Sequence, residues 1–296
     1  MAKPHLPFEK IYIIYNPNST GDGPGNAREL RKALRKAGFS DVHLKATKYA
    51  GHAEEIAYRL SKEYARPLLI SASGDGGYHE VVNGAMRAKA NGSKPICAVL
   101  PSGNANDHAS VMQNHGLDQL ISRGRIKQID LLKISVSGAL AVERYAHSYA
   151  GIGLTALIAG ELNQRDLNPF NEKLLVTKQL FKYRPFEIEK NGRKLRLDSL
   201  LFANINRMAK VLTLSSENTP ADGKFEVIEF PYQKKFSLLK KLAKSTFSHL
   251  EAASTKSYQF KVIKKTLLQA DGEILKIPAN SQVQIASAHK ALETLY

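Results

Sequence analysis

Leu68-Leu69-Ile70-Ser71-Ala72-Ser73-Gly74-Asp75-Gly76-Gly77-Tyr78-His79-Glu80-Val81-Val82-Asn83-Gly84 opens with the composition of a strand buried on both faces. The break Gly74-Asp75-Gly76-Gly77 ends that strand, and helical spacing resumes from Glu80 to Ala90. The same order recurs on either side. Upstream, the β-rich run Ile11–Tyr15 leads into a loop holding Asn16, Pro17, Ser19, Gly21, Asp22 and Gly23, and Ala27–Ala37 has helical composition up to the stop at Gly38. Val42–Lys45 reads as a strand, and His52–Tyr64 as a helix stopped before Pro67. Downstream, the strand Ile96–Leu100 meets Pro101-Ser102-Gly103-Asn104 and then a short polar helix. Strands alternating with helices predict a parallel sheet covered on both faces.

Past Asp130 the texture changes. Strand-like runs crowd together at Leu131–Val136, Leu195–Ala203, Phe225–Phe230, Tyr258–Lys264 and Val283–Ala286. Asn191-Gly192, Asp222-Gly223 and Asp271-Gly272 mark turns between them. Helical inserts are expected near Lys173–Tyr183 and Phe236–Phe247. The fold class is therefore α/β, with a parallel α/β domain over residues 1–130 and a mainly antiparallel β domain over 131–296. The last residues are expected to pack back on the first domain.

Two domains also suit a chain of 296 residues, longer than one core usually serves. A single cysteine, Cys97, excludes a disulfide framework and a cysteine-ligated zinc site. The 43 Lys and Arg against 27 Asp and Glu leave a formal charge of +16, which calls for a polyanionic partner: nucleic acid, anionic membrane or a phosphorylated ligand. No RNA- or DNA-binding motif accompanies the charge, so no nucleic-acid partner is expected. Residues 1–10 lack the apolar core of a signal peptide, and the apolar stretch Tyr149–Gly160 is too short to span a bilayer. A cytoplasmic location follows as the expectation, with Cys97 reduced and packed in a strand.

Three loops, 16–23, 73–77 and 101–107, each follow an apolar strand and open a helix, which puts them at the carboxyl ends of a parallel sheet, where ligands bind. Glycine lets a backbone approach a phosphate, and a helix start offers N–H groups and a positive dipole end. One such loop is most simply a tight turn; three together, two carrying a carboxylate at Asp75 and Asp107, point to phosphate chemistry. The P-loop, the Rossmann fingerprint, the zinc spacing His-Glu-x-x-His and the nucleophile elbow are all absent from the sequence.

The run from Ser73 to Gly84 resembles the G-G-D-G-T-x-x-E-V-x-N-G signature of the diacylglycerol kinase catalytic family. Asn16-Pro17-Asn18-Ser19 is similar to its N-P-x-S-G loop, Pro101–Asp107 to its P-x-G-T-x-N-D loop, and Asp271-Gly272-Glu273 to its late D-G-E. The motifs stand in family order along nearly the whole chain. Ser73 replaces the first glycine, Gly77 the threonine and Asn104 the second threonine, a pattern closer to the sphingosine kinase branch. Ser110 and Thr155 stand where many members carry arginine and aspartate.

The resemblance implies an ATP-dependent kinase that uses Mg²⁺ and transfers the γ-phosphoryl group to a diacylglycerol- or sphingoid-like lipid, working peripherally at an anionic membrane, with a homodimer as one expected assembly. Its nucleotide residues would be Asn16, Pro17, Asn18, Ser19, Thr47, Gly74, Asp75, Gly76, Gly77, Glu80, Gly103 and Asn104. Glu273 would be the general base on the lipid hydroxyl, with Asp75, Asp107 and Asp130 in the catalytic set. Thr219, Asp222 and Lys224 would surround a structural Mg²⁺.

Plainer roles exist beside these: a helix cap for Thr47, Asp75 or Asp107, a boundary turn for Asp130, a simple turn at Asp222-Gly223, and a hairpin for Asp271-Gly272-Glu273. The lysine-rich amphipathic segment Lys234–Lys244 suits either an anionic bilayer or a solvated helix face. An NAD kinase-like enzyme and a non-catalytic nucleotide-binding regulator are the competing readings.

Overall fold

The computed structural model describes residues 6–19, 21–103, 107–112, 116–153, 184–205, 207–208, 212–213, 220–232 and 252–296. The chain divides into two compact units, residues 1–129 with 290–296, and residues 130–289.

In the first unit β1 (Ile11–Tyr15), α1 (Gly23–Lys36), β2 (Val42–Ala46), α2 (His52–Glu63), β3 (Leu68–Ser73), α3 (Asp75–Lys89) and β4 (Ile96–Pro101) alternate, followed by α4 (Asp107–Met112) and α5 (Leu117–Arg123). The strands run parallel in the order β2-β1-β3-β4, with Ile11 opposite both Val42 and Leu68, and Leu68 opposite Ile96. Side chains alternate across a strand. Ile11 and Ile13 accordingly join Leu30, Leu34, Ile70 and Leu120 in one buried cluster, while Tyr12 and Ile14 are buried on the opposite face. On α3, Gly84 permits the close approach of α2: a Cβ there would lie 2.3 Å from the Glu54 carbonyl oxygen.

Two helices start earlier than their composition suggests, α1 at Gly23 rather than Ala27 and α3 at Asp75 rather than Glu80. In α1, Pro24 fits the first turn, where its missing N–H costs nothing, and the Asp22 carboxylate accepts the Gly25 N–H at 3.0 Å. In α3 the glycines themselves are helical, because packing against the end of β3 overrides their low propensity.

The second unit is built from β5 (Ile126–Ser137), which begins in the first, then β6 (Val142–Ala146), β7 (Tyr149–Gly153), β8 (Phe186–Lys190), β9 (Arg193–Ala203), β10 (Arg207–Met208), β11 (Leu212–Thr213), β12 (Phe225–Pro231), β13 (Ala253–Thr255), β14 (Ser257–Val262), β15 (Thr266–Ala270), β16 (Glu273–Ile277) and β17 (Gln282–Leu295). Its main path is β16-β15-β7-β9-β8-β14-β17, and its registered pairings are antiparallel. Phe202 anchors the core, with the rings of Phe225, Tyr258 and Phe260 around it.

Asn191-Gly192 and Asp271-Gly272 are hairpin turns, both residues of each pair at positive φ. Sequence patterning assigns no strand to Tyr149–Gly153, because two glycines interrupt it. The structure explains the second: at Gly153, with φ 88°, a Cβ would stand 2.5 Å from the Asp198 carbonyl oxygen. The helices expected near 173–183 and 236–247, the latter with the lysine-rich segment, lie outside the described residues.

The end of β17 belongs to the first unit. Glu293 pairs in parallel with Ile96, Leu295 enters the cluster around Ile11, and Glu293 bonds Arg66 at 2.6 Å. No helix among the described residues is long and apolar enough to cross a membrane.

Cys97 sits on β4 and is completely buried. Burial pushes its thiol up to about 12, only partly offset by the charge of Lys89. A thiol this protonated and enclosed does not react. Iodoacetamide at neutral pH is expected to leave the folded protein unlabelled over hours and to label it stoichiometrically in urea. Rapid labelling of folded protein, read by mass spectrometry, would show that β4 opens locally.

Candidate functional site: loops at the carboxyl edge of the parallel sheet

β1, β3 and β4 deliver their loops to one edge, and Ser102 fastens them together. Its carbonyl oxygen accepts the Gly21 N–H at 3.2 Å and the Ser19 hydroxyl, and its own N–H donates to the Ser73 carbonyl at 3.1 Å. Asn26, on α1, donates through one amide nitrogen to the Gly21 carbonyl and the Ser102 hydroxyl, both at 2.9 Å. The approach is close enough that a Cβ on Gly21 would lie 2.8 Å from the Ser102 backbone. Asn16 forms its own turn, its Oδ1 accepting the Asn18 N–H at 2.9 Å, and Asn16, Pro17 and Asn18 remain exposed. Ser102 and Asn26 carry no signal in the sequence beyond a serine in a loop and an asparagine near a helix start.

At the start of α3 the first intrahelical bond is Tyr78 N–H to the Gly74 carbonyl, so the amides of Gly76 and Gly77 have no acceptor within the helix. Gly76 is exposed beside them. Asp75 is the first helical residue rather than a cap; it is buried and its Oδ1 accepts the His108 N–H of α4 at 3.4 Å. Asp107 opens α4, but its side chain lies outside the described residues, as do Asn104 and Thr155. Ser110 is on α4.

Glu80, expected among the nucleotide residues, accepts two backbone amides at the start of α2. Its Oε1 accepts the Gly51 N–H at 2.9 Å and its Oε2 the Ala53 N–H at 3.0 Å, which caps α2 from a neighbouring helix. That cap is needed because Gly51, at the N-cap of α2, has no side chain to offer. Thr47 is not a cap of α2 either: it sits just past β2, its N–H bonded to the Tyr15 carbonyl at 2.9 Å, next to Asn16.

In the second unit two carboxylates are structural posts. Asp271 is fully buried and accepts three backbone N–H groups, from His147 at 2.7 Å and from Ser148 and Tyr149 at 3.0 Å each. It thereby locks the turn between β6 and β7 to the tip of the β15–β16 hairpin. Two residues on, Glu273 begins β16 partly exposed, its Oε1 3.6 Å from Nε of Arg144 on β6.

Asp130, expected in the catalytic set, belongs to this unit and is completely buried. Its Oδ2 accepts the Gly223 N–H at 2.6 Å and its Oδ1 pairs with His289 Nδ1 at 2.9 Å. The Asp130 N–H also donates to the Pro220 carbonyl at 2.7 Å, so Asp130 clamps the 220–223 turn. In that turn Asp222 Oδ1 accepts the Lys224 N–H at 2.8 Å. Thr219 lies outside the described residues, and no group of three or more His, Cys, Asp and Glu that could hold a metal occurs among the described ones. Of the residues expected around a structural Mg²⁺, this turn thus brings together the Asp222 carboxylate and the Lys224 backbone.

The family model of the diacylglycerol kinase catalytic domain matches residues 10–134. Over these residues the chain is similar to that catalytic domain. A curated relative from Pectobacterium atrosepticum, named "Probable lipid kinase YegS-like", is 32% identical over 133 residues, 42% of this chain and 41% of its own. A protein named diacylglycerol kinase from Staphylococcus saprophyticus is 30% identical over 140 residues, 43% of this chain and 42% of its own. The chain thus matches about two fifths of the length of these relatives. Across the whole chain the likeness is one of fold: a solved diacylglycerol kinase from Bacillus anthracis str. Sterne superposes with a TM-score of 0.70 at 20% identity, covering 98% of each chain.

Within the diacylglycerol kinase signature, the two departures at Ser73 and Gly77 are a single change. A Cβ on Gly77 would lie 2.3 Å from the Ser73 hydroxyl, so a threonine at 77 and a serine at 73 compete for one space. Here the Ser73 hydroxyl occupies it, hydrogen-bonded to Ser71 Oγ at 2.6 Å. Gly77→Thr alone is expected to destabilise the protein by about 1–3 kcal/mol, the usual cost of overpacking. Adding Ser73→Gly should recover a large part of that loss. Urea unfolding of the parent, both single variants and the double variant measures the coupling. Simple additivity would mean that the residues act independently.

Proposed function

We propose that the protein is an ATP-dependent lipid kinase that transfers the γ-phosphoryl group to the hydroxyl of a diacylglycerol- or sphingoid-like lipid. The observation that carries this reading is the set of three short loops fastened by Ser102 at the carboxyl edge of a parallel sheet, inside the residues that match a diacylglycerol kinase catalytic domain. The amides of Gly76 and Gly77, with the Asn16–Ser19 turn, supply donors to the phosphates, and the dipole of the 15-residue helix α3 favours their charge. A magnesium ion carried in with the nucleotide would neutralise charge on the transferred group, and a carboxylate among the loops would hold it. Asp75, the buried carboxylate among these loops, fits that role.

Glu273 accepts the lipid hydroxyl proton as the oxygen–phosphorus bond forms and ADP departs. Its partial exposure lets a substrate oxygen reach it, and the fixed hairpin below it limits where it can move. The names of the relatives support a lipid acceptor, and the +16 charge supports work from the cytoplasm at an anionic membrane surface.

Labelled ATP offered with extracted membrane lipids, and in parallel with NAD, tests the reaction: label is expected in a lipid product. Transfer to NAD instead would overturn the acceptor class. Glu273→Gln keeps the size of the side chain but removes the base, and transfer should fall by roughly 10²–10⁴-fold. ATP affinity should hardly change, since the nucleotide loops belong to the first unit and Glu273 to the second. Unchanged turnover in a variant with native circular dichroism would return Asp271-Gly272-Glu273 to a hairpin and nothing more.

A further inference from the structure

Tyr49 is the most exposed large apolar residue among those described, at 56%. Such a ring usually gains its freedom by being loosely held; this one is fixed. Its face stacks on the imidazole of His52, with centroids 4.7 Å apart and planes 24° from parallel. Its hydroxyl donates to Glu55 at 2.8 Å, and that hydrogen bond raises its pKa above the ordinary tyrosine value. His52 is held in turn, Nδ1 accepting the Lys48 N–H at 3.0 Å and its own N–H donating to the Tyr49 carbonyl at 3.2 Å.

The loop that carries Tyr49 is tied on both sides to the phosphate loops. Thr47 bonds to Tyr15, the residue before Asn16, and Gly51 and Ala53 bond to Glu80 on α3, the helix that begins at Asp75. Loop 47–51 follows β2, the strand beside β1, and so comes next along the same carboxyl edge. A nucleotide whose phosphates rest on the loops after β1 and β3 has its base left to place, and an immobilised aromatic face stands at the adjoining position.

We propose that Tyr49, backed by His52, is the stacking platform for the purine base of the nucleotide. This rests on the nucleotide-binding reading and adds to it the element that recognises the base. Ordering both rings before binding removes part of the entropy cost that a mobile side chain would impose. The hydroxyl is a tether to Glu55, so the ring face and not the polar group makes the contact.

The test is calorimetric titration of the full chain, Tyr49→Ala and Tyr49→Phe, each with ATP and with inorganic tripolyphosphate in magnesium buffer. Tyr49→Ala should weaken ATP binding by roughly 5- to 150-fold, the range that stacking of one base on an aromatic ring spans. Tyr49→Phe should stay near the parent, and tripolyphosphate, which has no base, should bind all three alike. Equal ATP affinity in parent and Tyr49→Ala would overturn the platform while leaving the nucleotide site standing. Parallel loss of ATP and tripolyphosphate would also overturn it, by showing that Tyr49 shapes the loop and does not touch the base. A parent that binds neither probe would sink the nucleotide reading itself, and the platform with it.

Discussion

The Ser102 carbonyl accepts the Gly21 amide and the Ser19 hydroxyl while the Ser102 amide donates to Ser73, so one residue satisfies backbone groups from loops that follow three different strands. Loops of this kind would otherwise leave polar groups buried without partners, at a cost of about 1–3 kcal/mol each. That arrangement holds together the loops after β1, β3 and β4, and with them the start of α3 and the Asn16 turn. The arrangement depends in its turn on a missing side chain: with a Cβ at Gly21, the two backbones could not come within hydrogen-bonding distance.

The family signature divides into two kinds of residue when each is followed to its partners. Gly84 admits α2, and Glu80 caps it. Asp75 and the glycine amides of α3 stand at the start of that helix, where the proposed function places the phosphates. The late motif divides likewise, with Asp271 holding three amides and Glu273 partly exposed beside Arg144, where the proposed function gives it the role of base. Residues that hold the scaffold and residues assigned to the proposed chemistry are thus interleaved along this chain.

Much of the architecture was legible in the sequence because its cause is local. Apolar runs followed by loops rich in Gly, Asn and Ser marked β1, β3 and β4, and the Asn191-Gly192 and Asp271-Gly272 pairs marked hairpins, since few other residues adopt positive φ at both turn positions. The three loops and the order of the motifs were legible for the same reason. What escaped was set by partners distant in sequence. The clamp of Asp130 on Gly223 joins residues 93 apart, and the capping of α2 by Glu80 joins residues 29 and 27 apart. Strand β7 escaped because its glycines break the pattern for a reason visible only in the packing against Asp198. The early starts of α1 and α3 escaped because glycine and proline, read alone, argue against a helix.

The final strand has a consequence for how the chain is made. β4 gains its outer neighbour, at Glu293, only from the last stretch of the sequence, and Leu295 is part of the same core as Ile11. On the ribosome, residues 1–129 emerge first and must wait through the synthesis of the whole second unit before that edge is closed. In the interval the hydrophobic edge of β4 offers unpaired backbone groups to any other strand, the condition under which nascent chains aggregate. The seven residues 290–296 therefore act as a late clasp, and the first unit reaches its finished state only when translation has reached them.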